Sequence, residues 1–485
     1  MEEKRIATDV LVIGGAGGGL RAAMEARADG VSVVLASKMP AGGESSTLRT
    51  AGWFTCSTSD SEDELFRQVV HIGGYLNDQR LVEVLVKDAV HRIPQLKDFG
   101  VPVSEREGRA PNMPGHYTIP RPPDNPRGYV MLHPMREWAE HAGVTILDNT
   151  PISTLITTDN AVVGATGIDL DTEELVIISA KSVVLATGGG SYAFERNNNP
   201  PGTTGDGFAL AYLAGAELVD IECISFNLSS SMLGELLQSD GKPPESMLEH
   251  GMAHYFMGGV KIDEDCRSSV EGLFAAGEVT GGVFGAARLG GSAMADIVVF
   301  GARAGHSAAQ RAKGVDTPEL NTAQIDGERE RFKKMMENNG IPSLDVFARL
   351  RSILWKYMAI TKTEDTLKLG LEKLSQAEVE VSNLSASNAG EIQAAIEAAN
   401  ILELGKLIGT ASLIRKETRG NYWRADYPEP DNDGWIKNIV VYKDGDEIAT
   451  RIDPVVMTRL HSPTQPPVGQ GCFGYSDLPN QSWRL

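Results

Sequence analysis

Positive charge, cysteine and long apolar runs are all scarce in this chain of 485 residues. Lys and Arg total 45 against 65 Asp and Glu, a net charge of −20. Such an excess repels nucleic-acid phosphates and anionic lipid, and no local Lys/Arg cluster offsets it, so neither is expected as a partner. The four cysteines, Cys56, Cys223, Cys266 and Cys472, form no C-x-x-C pair. They encode neither an iron–sulfur site nor a disulfide framework, and no metal site is expected. Any cluster must come from a partner. No run of about 18 apolar residues is present to span a membrane. The amino terminus, MEEKRIATDVLVIGG, enters a strand with no signal-peptide pattern, so a cytoplasmic protein is the expectation. With 41% hydrophobic residues the chain is globular rather than disordered.

Glycine is what the chain has in excess: 52 residues, mostly in short clusters, against a usual share of about 7%. The apolar, β-branched run Thr8 to Ile13 meets GGAGGG at 14–19, then a helix-forming stretch that Gly30 ends, then a second strand, VSVVLASK. This is a βαβ unit of about 30 residues. Gly14, Ala16 and Gly19 take the three positions of a G-x-G-x-x-G turn, the first for the bend, the second for close approach of a pyrophosphate, the third for helix–strand packing. The second is Ala, and Gly15, Gly17 and Gly18 leave a shifted register open. Ser37 and Lys38 stand where such a unit usually offers Asp or Glu to a ribose. GGESSTLRTAG at 42–52 is a Gly/Ser/Thr loop able to cradle phosphate or ring edges, or a plain surface loop.

Farther on, Val82, Val86, Val90 and Ile93 give one face of a helix that Pro94 should kink or end. Eight prolines make 102–134 an extended excursion. The runs VTILDN, ISTLIT, VVGATGI, LVIISA and SVVLAT between 144 and 187 read as a meander returning to the main sheet. Asp206, between two glycines, can cap the Ala-rich helix that follows and accept from a ligand hydroxyl. In the stretch 272–305, GLFAAGEVTGGVFGAARLGGSAMADIVVFGARAG, glycines, an early acid (Glu278), a mid-loop Arg288 and a final apolar run read as strand end, close-approach loop and buried helix. That is how backbone is laid against a flat cofactor. Beyond about 320 come amphipathic charged helices, including one with Leu367, Leu371 and Leu374 on one face and one with Asn388 and Glu391 set as a capping pair. A strand pair with a turn at Asp444-Gly445 and a proline-rich aromatic tail complete the chain.

Together VIGGAGGGLRAA, ATGGG at 186–190, NPPGTTGDGFALAYLAGAELVD, AHYFMGGV, the 272–305 stretch and ETRGNYWRADYPEPDNDGWIKNIVV resemble the flavoprotein subunits of the succinate dehydrogenase and fumarate reductase family, which includes L-aspartate oxidase and the adenylylsulfate reductase α subunit. The resemblance implies an α/β fold: a Rossmann-like FAD-binding domain of the two-dinucleotide-fold type plus a carboxy-terminal helical bundle. It implies FAD, hydride transfer at flavin N5 to or from a small, anionic, carboxylate-type substrate, an iron–sulfur protein partner and a hetero-oligomer. Carried over by position, Gly14, Gly15, Ala16, Gly17, Gly18, Gly19, Ser37, Lys38, Ser45, Thr47, Gly52, Ala186, Thr187, Gly188, Asp206, Glu278, Arg288, Ser292 and Met294 line FAD. His254 and Arg288 match the histidine and arginine that hold a substrate carboxylate, in catalytic positions. The domains expected are 1–316 for FAD, with 226–254 a shortened remnant of the substrate cap, 317–425 helical, and 426–485 strands and tail.

The chain departs from the family at four places. Ser46 stands where membrane-bound members tether FAD through histidine, so FAD should be noncovalent. Asn227 replaces a substrate histidine. Only 228–253 separate it from His254, where the family inserts a capping domain carrying the proton-shuttling arginine. Tyr422 stands where many members have histidine. His116, Tyr117, Arg121, Arg127, His250 and Tyr255 are the places to look for a replacement acid. Two alternatives stand beside the dehydrogenase reading: an electron-relay flavoprotein without its own substrate, and adenylylsulfate-reductase-like chemistry.

Overall fold

The computed structural model describes residues 2–57, 61–106, 116–227, 251–337 and 339–461. In chain order its main elements begin with β1 (Glu3–Ile13), α1 (Gly17–Ala28), β2 (Val33–Ala36), β3 (Thr145–Leu147), β4 (Ile152–Thr158), β5 (Ala161–Ile168) and β6 (Leu175–Leu185). There follow α2 (Asp206–Leu213), β7 (Leu218–Val219), β8 (Ile224–Asn227), β9 (Met252–Phe256), β10 (Gly259–Lys261), β11 (Leu273–Ala275) and β12 (Thr280–Gly281). The last are α3 (Ser292–Gly314), α4 (Ser343–Met358), α5 (Glu364–Val381), α6 (Ala389–Ile414), β13 (Lys437–Asp444) and β14 (Glu447–Pro454).

The central sheet runs β3-β2-β1-β6-β5-β4, with β11 beside β6. Pairings among β3, β2, β1, β6 and β11 are parallel, and β4, β5 and β6 are antiparallel. Buried on both faces, the parallel strands read as continuous apolar runs: Val10, Leu11 and Val12 of β1 and Val183, Val184 and Leu185 of β6 are fully buried. Two strands expected from LVIISA and SVVLAT are one, β6, because their ladder to β1 is interrupted at only a single residue. VTILDN supplies β3 of the parallel sheet rather than part of the meander. The excursion expected over 102–134 ends early, since a helix takes Tyr129–His141 with Pro134 inside it.

Helix α3 lies on the sheet against α1, and glycine sets the separation: a Cβ on Gly305 would sit 2.2 Å from the Ala22 carbonyl oxygen. A second sheet, β12-β10-β7-β13-β14, and the antiparallel pair β8–β9 flank the carboxyl ends of the parallel strands. Helix α6 packs against α4 and α5 and touches α2, so the helical region abuts the Gly-rich face. Its start is capped as expected, Asn388 accepting from the Glu391 N–H at 3.1 Å. The connection between β8 and β9, residues 228–251, is shorter than the roughly 50 residues a domain of its own needs; 228–250 lie outside the described residues.

Candidate active site

At the carboxyl end of β1 the chain turns through Gly14 into α1 with φ +115° at Gly14, a conformation L side chains rarely adopt. A Cβ there would lie 2.3 Å from the Ala186 carbonyl oxygen, and one on Gly19 would lie 1.8 Å from the Gly14 oxygen. Gly14 and Gly19 thus lock the turn between two strands and a helix. Ala16 is tolerated because it is the helix N-cap with extended backbone. The turn opens into a cleft of about 1020 Å³, its open solvent mouth included.

Gly14, Gly15, Ala16, Gly18, Ser37, Lys38, Ser45, Thr47, Ala186, Thr187, Gly188, Asp206 and Glu278 all line it. Gly17 and Gly19 of α1 serve packing instead, a Cβ on Gly17 meeting Ile297 of α3 at 2.7 Å and one on Gly19 meeting the turn at Gly14. Gly52 lies outside the lining, closed over by Arg127 and Ile119. Ser292 and Met294 begin α3, also outside it. Sequence reasoning missed Pro40, Gly43, Glu44, Thr150, Thr203 and Ile297 in the wall. Of these, Gly43 and Glu44 lie in the marked loop 42–52, Thr203 in the NPPGTTGDGF motif and Ile297 in the 272–305 stretch, whereas Pro40 and Thr150 carried no signal.

Two residues expected to face a ligand alone face each other. Lys38 Nζ donates to Asp206 Oδ2 at 2.5 Å, Thr204 Oγ1 at 2.7 Å and Glu397 Oε1 at 2.9 Å. Asp206 Oδ1 accepts from Thr204 and from Asn400 Nδ2 of α6. Asp206 is the first residue of α2 and makes no cap hydrogen bond. Burial opposes the Lys38 charge, yet Asp206 and Glu397 outweigh it and hold its pKa above the ordinary lysine value. The cluster ties β2, α2 and α6 together beneath the cleft.

From Glu278 in the cleft wall a second constellation extends. Glu278 Oε1 accepts from the Phe256 N–H at 3.1 Å, which anchors β9. Burial pushes the Glu278 carboxyl up to about 7, against the Phe256 N–H, Arg288 and the Gly189 N–H. Asp296, one turn into α3, is fully buried with both carboxyl oxygens unpartnered among the described residues. Burial raises it to about 8, with Arg288 opposing. Arg288 stacks its guanidinium 4.3 Å from the Tyr255 ring centroid and donates from Nη1 to its neighbour Leu289 O at 3.2 Å, while its buried Nε finds no partner among the described residues. His254 Nδ1 lies 2.9 Å from Asn198 Oδ1, and burial together with Arg288 pushes the ring down to about 4. The structure therefore gathers His254, Arg288, Glu278, Tyr255 and Asp296; the last was hidden within an apolar helical run.

The places named for a replacement acid fare differently. Tyr117 donates to Glu105 and is pushed up to about 12 by burial and that carboxylate. Arg121 is exposed, Arg127 donates to the Ala51 carbonyl, and Tyr255 is buried under Arg288 with its hydroxyl raised well above the ordinary value by burial. His250 and the side chains of His116 and Asn227 lie outside the described residues. Tyr422 is buried, donating to the Ser412 carbonyl at 2.7 Å, a structural role. Ser46 lines the cleft and pairs with Asn199 at 2.8 Å.

An FAD binding domain model matches residues 9–233 and 240–294, and a fumarate reductase flavoprotein C-terminal model matches 347–468. The chain belongs to the fumarate reductase and succinate dehydrogenase flavoprotein family. It is an FAD-dependent oxidoreductase. An uncharacterized FAD-dependent oxidoreductase of Methanocaldococcus jannaschii is 32% identical, the alignment covering 90% of this chain and 96% of that one. A fumarate reductase (CoM/CoB) polypeptide of Methanothermobacter marburgensis is 28% identical, covering 91% and 98%. A quinol fumarate reductase chain of Escherichia coli shares the fold at TM-score 0.84 and 22% identity, covering 97% of this chain and all of that one. The cleft suits the family's cofactor on its own terms. Gly14 and Gly15 keep its floor free of side chains, the amino end of α1 points into it, and the Thr187 hydroxyl is buried there with no partner among the described residues. Among the described residues no group of His, Cys, Asp and Glu could hold a metal, and no helix is long and apolar enough to cross a membrane.

Proposed function

We propose that this chain is the flavoprotein subunit of a larger electron-transfer complex, acting on a small carboxylate held by Arg288, with an iron–sulfur partner relaying electrons. Residues 1–316 would carry FAD, 317–425 the helical support, and 426–485 the closing strands and tail. The amides of Gly14 and Gly15 and the start of α1 would hold the pyrophosphate, and the Ser37 and Thr187 hydroxyls remain as donors. Bound FAD supplies a hydride donor and acceptor; with serine at Ser46 it would be held noncovalently.

One observation carries the substrate half. Arg288 is a partly exposed guanidinium on a Gly-rich loop; among the described residues its Nη1 reaches only the adjacent carbonyl and its buried Nε has no partner. A guanidinium grips a carboxylate bidentately, and such a grip fixes the substrate's orientation at the cleft. Tyr255 beneath it stops the fork from swinging away. The short 228–251 connection favours a second reading, a relay whose flavin face another chain covers. Anaerobic bleaching of the flavin by small carboxylates separates the two. Under the first reading Arg288→Ala slows reduction by the effective substrate by about 100-fold or more. Unchanged rates with every carboxylate, alongside intact reduction by a copurifying iron–sulfur protein, favour the relay.

A further inference from the structure

The Asn197–Asn199 triplet fixes which face of His254 is a donor. Asn197 Nδ2 donates to the Phe194 carbonyl at 2.9 Å, and the Asn199 N–H donates to Asn197 Oδ1 at 3.1 Å. Asn199 Nδ2 donates to the backbone carbonyl of His254 at 2.7 Å, and a backbone carbonyl can only accept. The same Nδ2 lies 3.3 Å from Asn198 Oδ1, so a flipped Asn198 would set amide against amide. With Asn198 Oδ1 fixed as an acceptor, His254 Nδ1 must carry the hydrogen in their 2.9 Å contact. Burial, with the cationic Arg288 adding to it, pushes the ring down to about 4 and disfavours a second ring proton. Nε2 is left as a bare lone pair, and among the described residues no donor meets it. The resemblance implies a hydrogen-bond donor at this position; this chain builds an acceptor.

Building on the reading of Arg288 as an anion holder, we infer that the substrate is a hydroxy-carboxylate, its carboxylate on Arg288 and its hydroxyl donating to His254 Nε2. An ammonium donor would set a like charge beside the Arg288 guanidinium; a hydroxyl carries no such cost. A plain carboxylate leaves Nε2 facing carboxylate lone pairs or unpaired, and a site built for a hydroxyl discriminates against the analogue lacking it. Asn198 acts as a positioning residue, through the tautomer it imposes.

Two measurements on the oxidised, FAD-loaded protein test this. Ring-¹⁵N-histidine spectra, with His254→Gln identifying the resonances, should give a protonated Nδ1 and an unprotonated Nε2 at pH 7. The opposite tautomer, or an imidazolium, overturns the inference. Perturbation of the flavin spectrum by acetate, glycolate and glycine should rank glycolate roughly tenfold above acetate, the ratio one well-made hydrogen bond sets, and above glycine. The ratio should collapse toward one in His254→Leu and in Asn198→Leu, and recover in Asn198→Asp, whose carboxylate still accepts from Nδ1. Equal affinities that still fall with Arg288→Ala overturn the hydroxy-carboxylate inference and leave the anion reading standing. Failure of all three to bind, with flavin in place, overturns the anion reading and this inference with it.

Discussion

Gly14 combines a φ of +115° with a would-be Cβ contact of 2.3 Å to backbone. The conformation alone costs a side chain roughly 1–3 kcal/mol, and the clash adds to it. Gly14→Ala is expected to lower retained FAD at least tenfold, read as flavin absorbance per chain after purification. Asp296 behaves differently, because its cost appears only when it ionises. Burial holds its folded pKa at about 8 against an ordinary 3.8, so the native state binds the proton more tightly than the unfolded chain does. Stability therefore falls as pH rises from about 4 to about 8, by an amount of order several kcal/mol. Asp296→Asn should leave the urea midpoint nearly unchanged at pH 4.5, raise it at pH 8 and flatten the slope between. A variant as pH-sensitive as the parent would mean that Asp296 is charged and partnered. The turn glycines were legible because a β-branched strand runs into them. Asp296 was not, since in sequence it is one acid inside AMADIVVFGARAG, and only its packing reveals the missing partners.

At the scale of elements, α6 is bound to the rest of the fold by buried charge at its carboxyl end. Arg415 donates to Glu222 at 2.6 Å and Asp220 at 2.9 Å, and lies 3.3 Å from Glu417, which also pairs with Arg419. Arg415, Glu222 and Glu417 are fully buried. Burial pushes Asp220 up to about 7 even with Arg415 opposing. Arg415→Ala strands these carboxylates and should cost about 3–5 kcal/mol in chemical denaturation, whereas Lys368→Ala, on the exposed Glu364 pair of α5, should leave the denaturation midpoint nearly unchanged. The helices themselves were readable from spacing and caps, Leu367 and Leu374 being buried and Asn388 capping as expected. What α6 holds was not readable: Lys38 and Glu397 are 359 residues apart, and no local pattern encodes their meeting.

For the whole molecule, the order of motifs along the chain was enough to indicate the family and FAD. With Ser46 hydrogen-bonded to Asn199 at the cleft wall, acid precipitation should release all the flavin into the supernatant, measured against the protein pellet. Flavin retained in the pellet would require another attachment residue.

The sequence by itself determined the parallel sheet, the glycine turn, the helical region and the cofactor, because strand, turn and helix preferences are local and glycine is irreplaceable where backbone meets backbone. Only the tertiary structure decided which charges face the ligand. Lys38 and Asp206 neutralise each other, Arg288 keeps an Nε unpaired among the described residues, and Asn198 fixes the proton on His254, since each depends on residues that folding alone brings within hydrogen-bonding distance.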